Sequence, residues 1–534
     1  MNELGQSSQA APAISNHRTA WSLPVVSILV GGSLGLIYGA TRSMALVTLA
    51  AGFVAGAAVG GVAGILVSAL RRLREVPWWE PAVIYLVALG GLVAASGSRL
   101  KRPSVDNHFV YLADSLNHGQ LRLRKHPPHQ NDWARVMTLT LSSGKTLRGQ
   151  WWKAAGQHAF RTTKGKIVHV MPGSVRRTET TWYVSFPPLP AMLMMPGVAA
   201  DGYQFNDVWF TVIVAALNPV LAFLLLVELR RSGYNAMGIV DNLWLTAFFT
   251  FGTVHFYCAV IGEVWYTAHI VGTTLLLSYL LASVDGHEPF AAGLCLGAAF
   301  ITRTPMLMAF PFFVLMVLKP SGLDPKQGFK DLFRKVAWRK TIHPLLSFAL
   351  PVMVIGLWMA YLNWQRFDNP FEFGHTYLNI RWLPRIERWG LFNVHYMSRN
   401  LSAAFTLLPY IQTHYPYIVI SRHGISLLAV TPFFVYAMWP KQKGPLHYAC
   451  WLSIFPIALL HFMYQNSGYV QFTYRFSLDY TPLLLVLLTM TGRKFGPLAK
   501  SLILWGIVWH TFGALSFGRW SQFYAKGDWL FVAQ

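Results

Sequence analysis

One carboxylate in this sequence stands where a membrane protein could use it for chemistry. Asp106 lies in SRLKRPSVDNHFVYLADSLNHGQ (98–120), which follows an apolar run and opens a long polar stretch. Beside the membrane edge an ionised carboxylate has a moderate desolvation cost, and partial burial can still tune its basicity. Asp106 is therefore a candidate catalytic base. The alternative is that Asp106, or Ser104 before it, caps a helix by accepting backbone N–H bonds.

The residues around Asp106 predict a short helix that lies on the bilayer surface. Apolar side chains recur there at i, i+4, i+7 and i+11, namely Val105, Phe109, Leu112 and Leu116. Such a stripe is typical of an amphipathic helix at a membrane interface. Asp106 would stand at the start of this helix, just outside the hydrocarbon.

The composition indicates an all-α polytopic membrane protein. Of its 534 residues, 54% are hydrophobic and only 12% are charged, and the apolar runs are too many for one soluble core. The formal net charge of +23 is divided between short turns and one large loop. This distribution favours membrane lipid headgroups or phosphate-bearing substrates as partners, and no nucleic-acid motif is present.

Neither a disulfide framework nor a metal site is predicted. All three cysteines lie within apolar segments, at Cys258, Cys295 and Cys450. The nearest metal-like cluster consists of His118, His126 and His129. Because the prolines of HPPHQ favour an extended chain there, we interpret these residues as loop histidines. No cofactor is expected, and a divalent metal is left open.

About thirteen transmembrane helices are predicted from the apolar runs. They are 21–41, 44–70, 78–98, 206–229, 236–259, 263–284, two within 289–318, 344–364, 425–439, 446–464, 478–491 and 499–517. Basic turns near residues 71, 230 and 441 and a basic loop at 319–343 set the orientation by the positive-inside rule. The tail 1–20 is then cytosolic, with no removable signal peptide, and the tail 518–534 is extracytoplasmic.

The side of the membrane on which each later loop lies depends on whether residues 289–318 cross the membrane once or twice. The basic loop at 319–343 is cytosolic only if the preceding stretch forms two short helices, with Arg303, Thr304 and Pro305 at the outer turn. The alternative is a single kinked span. The first two spans, within 21–77, are rich in Gly and Ala and predict a tight helical hairpin.

Two long loops are predicted on the extracytoplasmic side, at 99–186 and 365–424. The first contains a small β insertion, because RVMTLTL and KTLRGQWW flank Ser143-Gly144, and AFRTT and KIVHVM flank Lys164-Gly165. It ends in TWYVSFPPLPAMLMMPGV (181–198), whose prolines interrupt a full span. We interpret that stretch as a surface or re-entrant helix.

Four stretches resemble the GT-C superfamily of membrane glycosyltransferases, in particular bacterial relatives of the protein O-mannosyltransferases and aminoarabinose transferases. They are VDNHFVYLADSLNHGQL, YVSFPPLPAML, GLCLGAAFITRTP, and NPFEFGHTYL followed by VQFTYRFSLDY. The resemblance covers about residues 78–517 and leaves out the N-terminal hairpin. Where mannosyltransferase-type relatives have two adjacent acidic residues, this chain has Asp106 followed by Asn107, which argues against metal-assisted schemes.

The resemblance implies a GT-C-like fold and a polyprenyl-phosphate-linked sugar as donor. Transfer of that sugar needs a base for the acceptor, which Asp106 would supply, and a cation for the departing phosphate. Arg303 and Arg475 are the candidates for binding the phosphate, since a guanidinium meets two oxygens at once. The alternatives are headgroup contact for Arg303 and a structural pair between Arg475 and Asp479, four residues on.

Further ionisable residues are candidates for substrate contact. They are Asp114, Glu263, His269, Glu372 and His375. Asp114 is the substitute base, although its spacing from Asp106 favours solvent or a structural hydrogen bond. The other four are expected near the outer membrane edge or in the second long loop, where satisfying a neighbouring helix or supporting the loop is the alternative role.

The sequence therefore predicts a glycosyltransferase that moves a sugar from a polyprenyl-phosphate donor to a lipid, glycan or protein acceptor of the cell envelope. It would be an integral protein of the bacterial inner membrane with an extracytoplasmic active site. The alternatives are a transporter or flippase of an anionic lipid-linked glycan, and a non-catalytic envelope-assembly protein. A cavity that joins Asp106 to Arg303 or Arg475 would favour the enzyme.

Overall fold

The computed structural model describes residues 22–318, 336–441, 443–492 and 494–527. The predicted tail 1–20, most of the basic loop 319–343 and residues 528–534 lie outside these ranges. The α-helices, numbered in chain order, are α1 (Leu23–Arg42), α2 (Leu46–Arg72), α3 (Trp79–Ser96), α4 (His108–Asn117), α5 (Leu189–Asp201), α6 (Asp207–Arg231), α7 (Ile239–Phe251), α8 (His255–Ala259), α9 (Val264–Ser283), α10 (Pro289–Phe300), α11 (Phe310–Leu318), α12 (Trp338–Phe367), α13 (Leu383–Trp389), α14 (Met397–Leu401), α15 (Leu427–Val430), α16 (Pro445–Met463), α17 (Thr481–Thr489) and α18 (Pro497–Ser516).

Eight of the described helices are long and apolar enough to cross a membrane. They are α1, α2, α3 with its extension to Lys101, α6, α9 with its extension to Gly286, α12, α16 and α18. The remaining predicted spans correspond to shorter or interrupted helices: α7 with α8, α10, α11, α15 with the 3-10 segment Pro432–Met438, and α17. A helical membrane protein is confirmed, while the count of thirteen spans stays a prediction.

The tight hairpin predicted at the N-terminus is confirmed. A Cβ atom on Gly35 would lie 2.0 Å from the carbonyl oxygen of Gly52, and one on Gly56 would lie 2.0 Å from that of Gly31. Backbones that approach this closely exclude every larger residue. The opposite face of α1 carries Leu34 and other exposed apolar side chains, as expected of a helix that contacts lipid.

The chain reverses direction between α10 and α11. After α9, the backbone N–H of Glu288 donates to Ala282 O, so α10 starts beside the end of α9. A Cβ atom on Gly286 would lie 3.0 Å from Val317 Cγ2, so α11 ends at that same place. Residues 289–318 therefore form two short helices joined by a reversal, as predicted, and not one kinked helix; that each helix crosses the membrane stays a prediction. Arg303 lies at the reversal, directly before the 3-10 segment Thr304–Ala309.

The first long loop contains a five-stranded antiparallel sheet of order β4-β3-β2-β1-β5. Its strands are β1 (Trp133–Leu141), β2 (Thr146–Trp151), β3 (Ala159–Thr162), β4 (Ile167–His169) and β5 (Val175–Val184). Both predicted hairpins, β1 with β2 and β3 with β4, are confirmed. A short pair in the second long loop adds β6 (Tyr410–Ile411) and β7 (Ile418–Val419).

The prediction of one helical segment over 181–198 is wrong at its start. Residues 181–184 complete β5, which pairs with β1 from Val184 opposite Trp133 onward, and the helix α5 begins only at Leu189. The β-branched and aromatic residues of VRRTETTWYV explain the strand, because such residues pack well on a pleated surface. This pairing fixes the start of β1, and with it the position of Asp132, the residue before Trp133.

The helix after Asp106 does not lie on the membrane surface. In α4, every residue except Tyr111 is buried, while Val105, which was assigned to its apolar stripe, precedes the helix and is 69% exposed. The polar face is buried because its groups have partners: Leu116 O accepts from Thr48 Oγ1 at 2.6 Å, and Asn117 Nδ2 donates to Met195 O at 2.9 Å. Satisfied polar groups can be buried at low cost.

Neither Asp106 nor Ser104 caps this helix, so the capping alternative is wrong. Asn107 is the N-cap residue, and its side chain accepts no capping hydrogen bond. Ser104 instead donates its backbone N–H to Asp207 Oδ1 at 2.8 Å and its hydroxyl to the other oxygen of that carboxylate. Asp106 therefore does not cap α4.

The ends of α3 and α18 lie together, which gives a testable topology. Arg519 Nη2 donates to Ala95 O at 2.7 Å, and Arg99 Nη1 donates to Ala514 O at 3.0 Å. We expect the first long loop and residues 518–527 to be on one side of the membrane. Ser143→Cys and Ser521→Cys, both at exposed positions, should react with an impermeant maleimide from outside, whereas Arg74→Cys should react only after permeabilisation.

The native thiols will not obscure that labelling, because Cys258, Cys295 and Cys450 are buried. If Ser143→Cys is labelled in intact cells while Ser521→Cys is protected, the first long loop and residues 518–527 do not lie on the same side of the membrane. Labelling of both, with Arg74→Cys protected, is the expected result.

Candidate functional site

One cavity of about 330 Å³ lies where six parts of the fold meet. These are the start of β1, the start of α9, the reversal between α10 and α11, the second long loop, the end of α16, and the 3-10 segment Arg475–Asp479 before α17. The titratable side chains that line it are Asp132, Arg303, His375, His461 and Arg475. Aromatic rings form much of the remaining wall, among them Phe186, Trp265, Trp382, Tyr464 and Phe476. The volume falls within the usual range of small-molecule sites.

Arg303 is held in the cavity wall by a buried carboxylate. Its Nε lies 2.8 and 2.9 Å from the two oxygens of Asp479, and its Nη2 lies 2.8 Å from Oδ2. Asp479 is fully buried, and it is also contacted by His269 Nδ1 at 2.9 Å and by His461 Nε2 at 2.9 Å. The charge of Arg303 is therefore largely compensated. The predicted structural pair between Arg475 and Asp479 is wrong, because the partner of Asp479 is Arg303.

Arg475 is the arginine of this cavity that forms no ion pair with a described carboxylate. Its Nη1 donates to the backbone oxygen of Val470 at 3.2 Å and to the Tyr266 hydroxyl at 3.4 Å, but no described carboxylate lies within 4.0 Å of it. The buried Nε has no hydrogen-bond partner in the described part of the chain. The guanidinium carbon lies 5.2 Å from the ring centre of Tyr266 and 5.8 Å from that of Trp265. A buried guanidinium in this state is suited to bind an anion.

Asp132 is the acidic side chain that lines the cavity, and it was not among the residues predicted from the sequence. It immediately precedes β1 with a φ of 57°, a conformation in which Asp and Asn are enriched. Its Oδ2 accepts the indole N–H of Trp265 at 3.0 Å. Burial raises the pKa of Asp132 to about 6; the charge of Asp106 adds to this shift, and the hydrogen bond from Trp265 and the charge of Arg475 oppose it. A carboxylate with a pKa near neutral pH is well matched to proton transfer.

Asp106 lies next to this site but is not among the residues that line the cavity. Its Oδ1 is 3.4 Å from His129 Nε2 and 3.5 Å from Asn131 Nδ2, and its backbone oxygen accepts the N–H of Val264 at 3.0 Å. Burial raises the pKa of Asp106, while His129 and Asn131 act in the opposite direction. The loop residues 129–132 thus place a second carboxylate, that of Asp132, in the cavity and close enough to Asp106 for the two charges to interact.

Two predicted residues of the second long loop have different surroundings. His375 lines the cavity, and burial together with the nearby charge of Arg303 lowers its pKa to about 4, so its imidazole is neutral at pH 7. Glu372 supports the loop, because its two oxygens accept from Gly374 N and from Thr376 Oγ1, both at 2.7 Å. Glu372 is not among the residues that line the cavity.

The remaining candidates lie outside the cavity. Asp114 accepts hydrogen bonds from Arg124 and from the hydroxyl of Tyr203, which is the structural role foreseen as its alternative. His269 is buried against Asp479. Glu263 precedes α9, and burial, followed by the charge of Asp106, raises its pKa to about 7.

No group of three or more His, Cys, Asp or Glu side chains in the described ranges could hold a metal ion. The three histidines singled out in the sequence are dispersed: His118 contacts Asp114, His129 contacts Asp106, and the His126 ring stands 5.5 Å from that of Trp182. Their interpretation as loop histidines agrees with these separate contacts.

Three kinds of comparison with known proteins give no match. No family model matches the sequence, no curated protein matches it, and no solved structure matches its fold. The resemblance of four sequence stretches to GT-C glycosyltransferases therefore stays a prediction, and the residues of the cavity carry the functional argument.

Proposed function

We propose that this membrane protein is a glycosyltransferase that moves a sugar from a polyprenyl-phosphate donor to an acceptor of the cell envelope. The proposal includes a GT-C-like arrangement of about thirteen spans and an active site on the extracytoplasmic face of a bacterial inner membrane. One observation carries it: Asp132, whose pKa burial raises to about 6, shares an aromatic-lined cavity with Arg475, which forms no ion pair in the described ranges. A proton acceptor and an anion-binding group are the two elements that this transfer needs.

The proposed step uses each of these groups once. Asp132 accepts the proton of the acceptor hydroxyl or amine while the acceptor atom forms a bond to the anomeric carbon of the sugar. The bond between that carbon and the phosphate oxygen breaks, and the phosphate leaves with the electron pair. Arg475 stabilises the negative charge that develops on the leaving phosphate. Arg303 lines the same cavity, but its charge is already matched by Asp479, so the phosphate is assigned to Arg475.

Two hypotheses describe the role of Asp106 in this scheme, and experiments can distinguish them. The first hypothesis, from the sequence, makes Asp106 the base itself. The second, supported by the lining of the cavity, makes Asp132 the base and gives Asp106 the task of raising its pKa by charge repulsion. We adopt the second as the proposal, because a base must reach the proton that it removes.

The cluster around Asp479 supports a transporter or flippase of an anionic lipid-linked glycan as the second candidate. A fully buried carboxylate that contacts an arginine and two histidines is the kind of intramembrane group that transporters use. Purified protein in nanodiscs, given labelled polyprenyl-phosphate sugars and envelope extract, tests the enzyme directly through covalent product. Movement of the sugar lipid across liposomes without product would support the transporter instead.

The exchange of Arg475 for Lys tests the anion site. Lys keeps the charge but presents a point rather than a planar fork, so we expect transfer to fall by about 10²-fold, the cost of losing one preorganised donor. The matched control is Arg388→Lys, at an exposed arginine that stacks on Trp389 and does not line the cavity. Turnover and donor KM of Arg475→Lys equal to those of the wild type would contradict phosphate binding by Arg475.

A further inference from the structure

A second cavity, of about 350 Å³, adjoins the first. The two share Trp382, Gln465 and Asn466, which therefore form the wall between them. The second cavity is lined by three arginines, namely Arg381, Arg385 and Arg399, and no carboxylate is among its lining residues. These arginines come from the second long loop, Arg385 on α13 and Arg399 on α14.

None of the three guanidinium groups forms an ion pair with a described carboxylate. Arg399 Nη2 donates to the backbone oxygen of Gln465 at 2.6 Å, while its buried Nε has no partner in the described part of the chain. Burial and the neighbouring charge of Arg385 lower the pKa of Arg399 to about 10. The nearest acid on α13, Glu387, is engaged elsewhere, because its Oε2 accepts the backbone N–H of Ala154 at 2.9 Å.

Arg385 and Arg399 are partly buried and close enough for their charges to interact, whereas Arg381 is exposed. Like charges around a partly desolvated space repel one another, and a buried charge without a partner costs free energy. An anion in the cavity would remove both penalties, since phosphate and carboxylate oxygens match the donor forks of guanidinium groups. Arg475 lies in the first cavity, beyond the shared wall, so one phosphate group would not serve both sets of arginines.

We propose that the second cavity binds a phosphate or carboxylate group of the acceptor, and hence that the acceptor is itself an anionic molecule of the envelope. The assignment to the acceptor rests on the proposed function, in which the donor phosphate occupies the site at Arg475. The anion site as such rests on Arg381, Arg385 and Arg399 alone.

The anion site is tested without any assay of transfer. Full-length protein in nanodiscs is treated with phenylglyoxal, which modifies arginine, in the presence and absence of inorganic phosphate, and each arginine is followed by mass spectrometry. Phosphate should slow the modification of Arg381, Arg385 and Arg399 several-fold and leave that of Arg388, on the same helix as Arg385, unchanged. Equal modification with and without phosphate at the three arginines would overturn the proposal.

The source of the anion is tested by kinetics. Arg385→Gln should raise the KM for an anionic acceptor at least tenfold while the donor KM stays at its wild-type value, and Arg388→Gln should change neither. A rise in the donor KM instead would assign the second anion to the donor and overturn the acceptor assignment. A wild-type protein that transfers no sugar but shows the phosphate protection would overturn the proposed function and keep the anion site.

Discussion

Replacement of Asp132 by Asn is expected to reduce transfer by about 10²- to 10⁴-fold, the usual contribution of a positioned base. Asn keeps the size of the side chain, and its amide oxygen can still accept the indole N–H of Trp265, which is 3.0 Å from the carboxylate. What the variant loses is the ability to take up a proton. Donor binding should survive, because the phosphate is held by Arg475. The measurement is single-turnover transfer together with donor affinity in nanodiscs.

The companion variant, Asp106→Asn, separates the two hypotheses for the base. The charge of Asp106 raises the pKa of Asp132, so its removal should make Asp132 easier to ionise. A base works in its deprotonated form, and the acid limb of kcat/KM against pH should therefore move to lower pH in Asp106→Asn. Transfer at pH 7 should remain within about tenfold of the wild type, well short of the loss of a base.

The opposite pair of results would identify Asp106 as the base. In that case Asp106→Asn would lose about 10²-fold or more at every pH, and Asp132→Asn would retain most of the transfer. Both variants should show the thermal unfolding of the wild type, because neither side chain caps α4 and neither forms an ion pair with Lys or Arg in the described ranges.

The sequence was sufficient to find the two arginines of the cavity but not its acid. Arg303 and Arg475 are conspicuous, since a charged residue beside apolar runs is costly and so points to a function. Asp132 stands in the polar run NDWARV and looks like any loop residue. Its role depends on Trp265, which is 133 positions away along the chain, and no local pattern reports such a contact.

The partner of Asp479 shows why a spacing rule failed. The i, i+4 rule for α-helices suggested Arg475, but residues Arg475–Asp479 form a 3-10 segment. With three residues per turn, side chains four positions apart point about 120° away from each other. Asp479 is therefore turned away from Arg475 and toward Arg303, 176 positions earlier in the chain.

The pattern around Asp106 was misinterpreted for a related reason. A periodic apolar stripe locates one face of a helix but says nothing about what covers the other face. In α4 the polar face is covered by α2 and α5, whose Thr48 and Met195 satisfy its hydrogen bonds. Hairpins within the first long loop were predictable because a Gly at each turn marks them locally, whereas the pairing of β5 with β1 closes over more than thirty residues.

Removal of the Asp479 carboxylate should have the largest effect on stability of any single change considered. Asp479→Ala leaves Arg303 without its counter-charge, and it leaves the fully buried His269 without its hydrogen-bond partner. Breaking a buried ion pair from one side typically costs about 3–5 kcal/mol, because the remaining charge is uncompensated. We expect a clear fall in the midpoint of thermal unfolding, followed by loss of the monodisperse peak on size exclusion in detergent.

The double variant Arg303→Met with Asp479→Leu shows whether this pair serves stability or function. Replacing both partners of a buried pair by apolar side chains of similar volume is often neutral, but His269 still lacks the carboxylate that it contacts, so the unfolding midpoint should return only part of the way to that of the wild type. If Arg475 alone holds the phosphate, the double variant should also retain transfer within about tenfold, short of the cost of a lost phosphate-binding donor. A stable double variant without transfer would instead show that Arg303 binds the donor phosphate and that Asp479 serves to position it there.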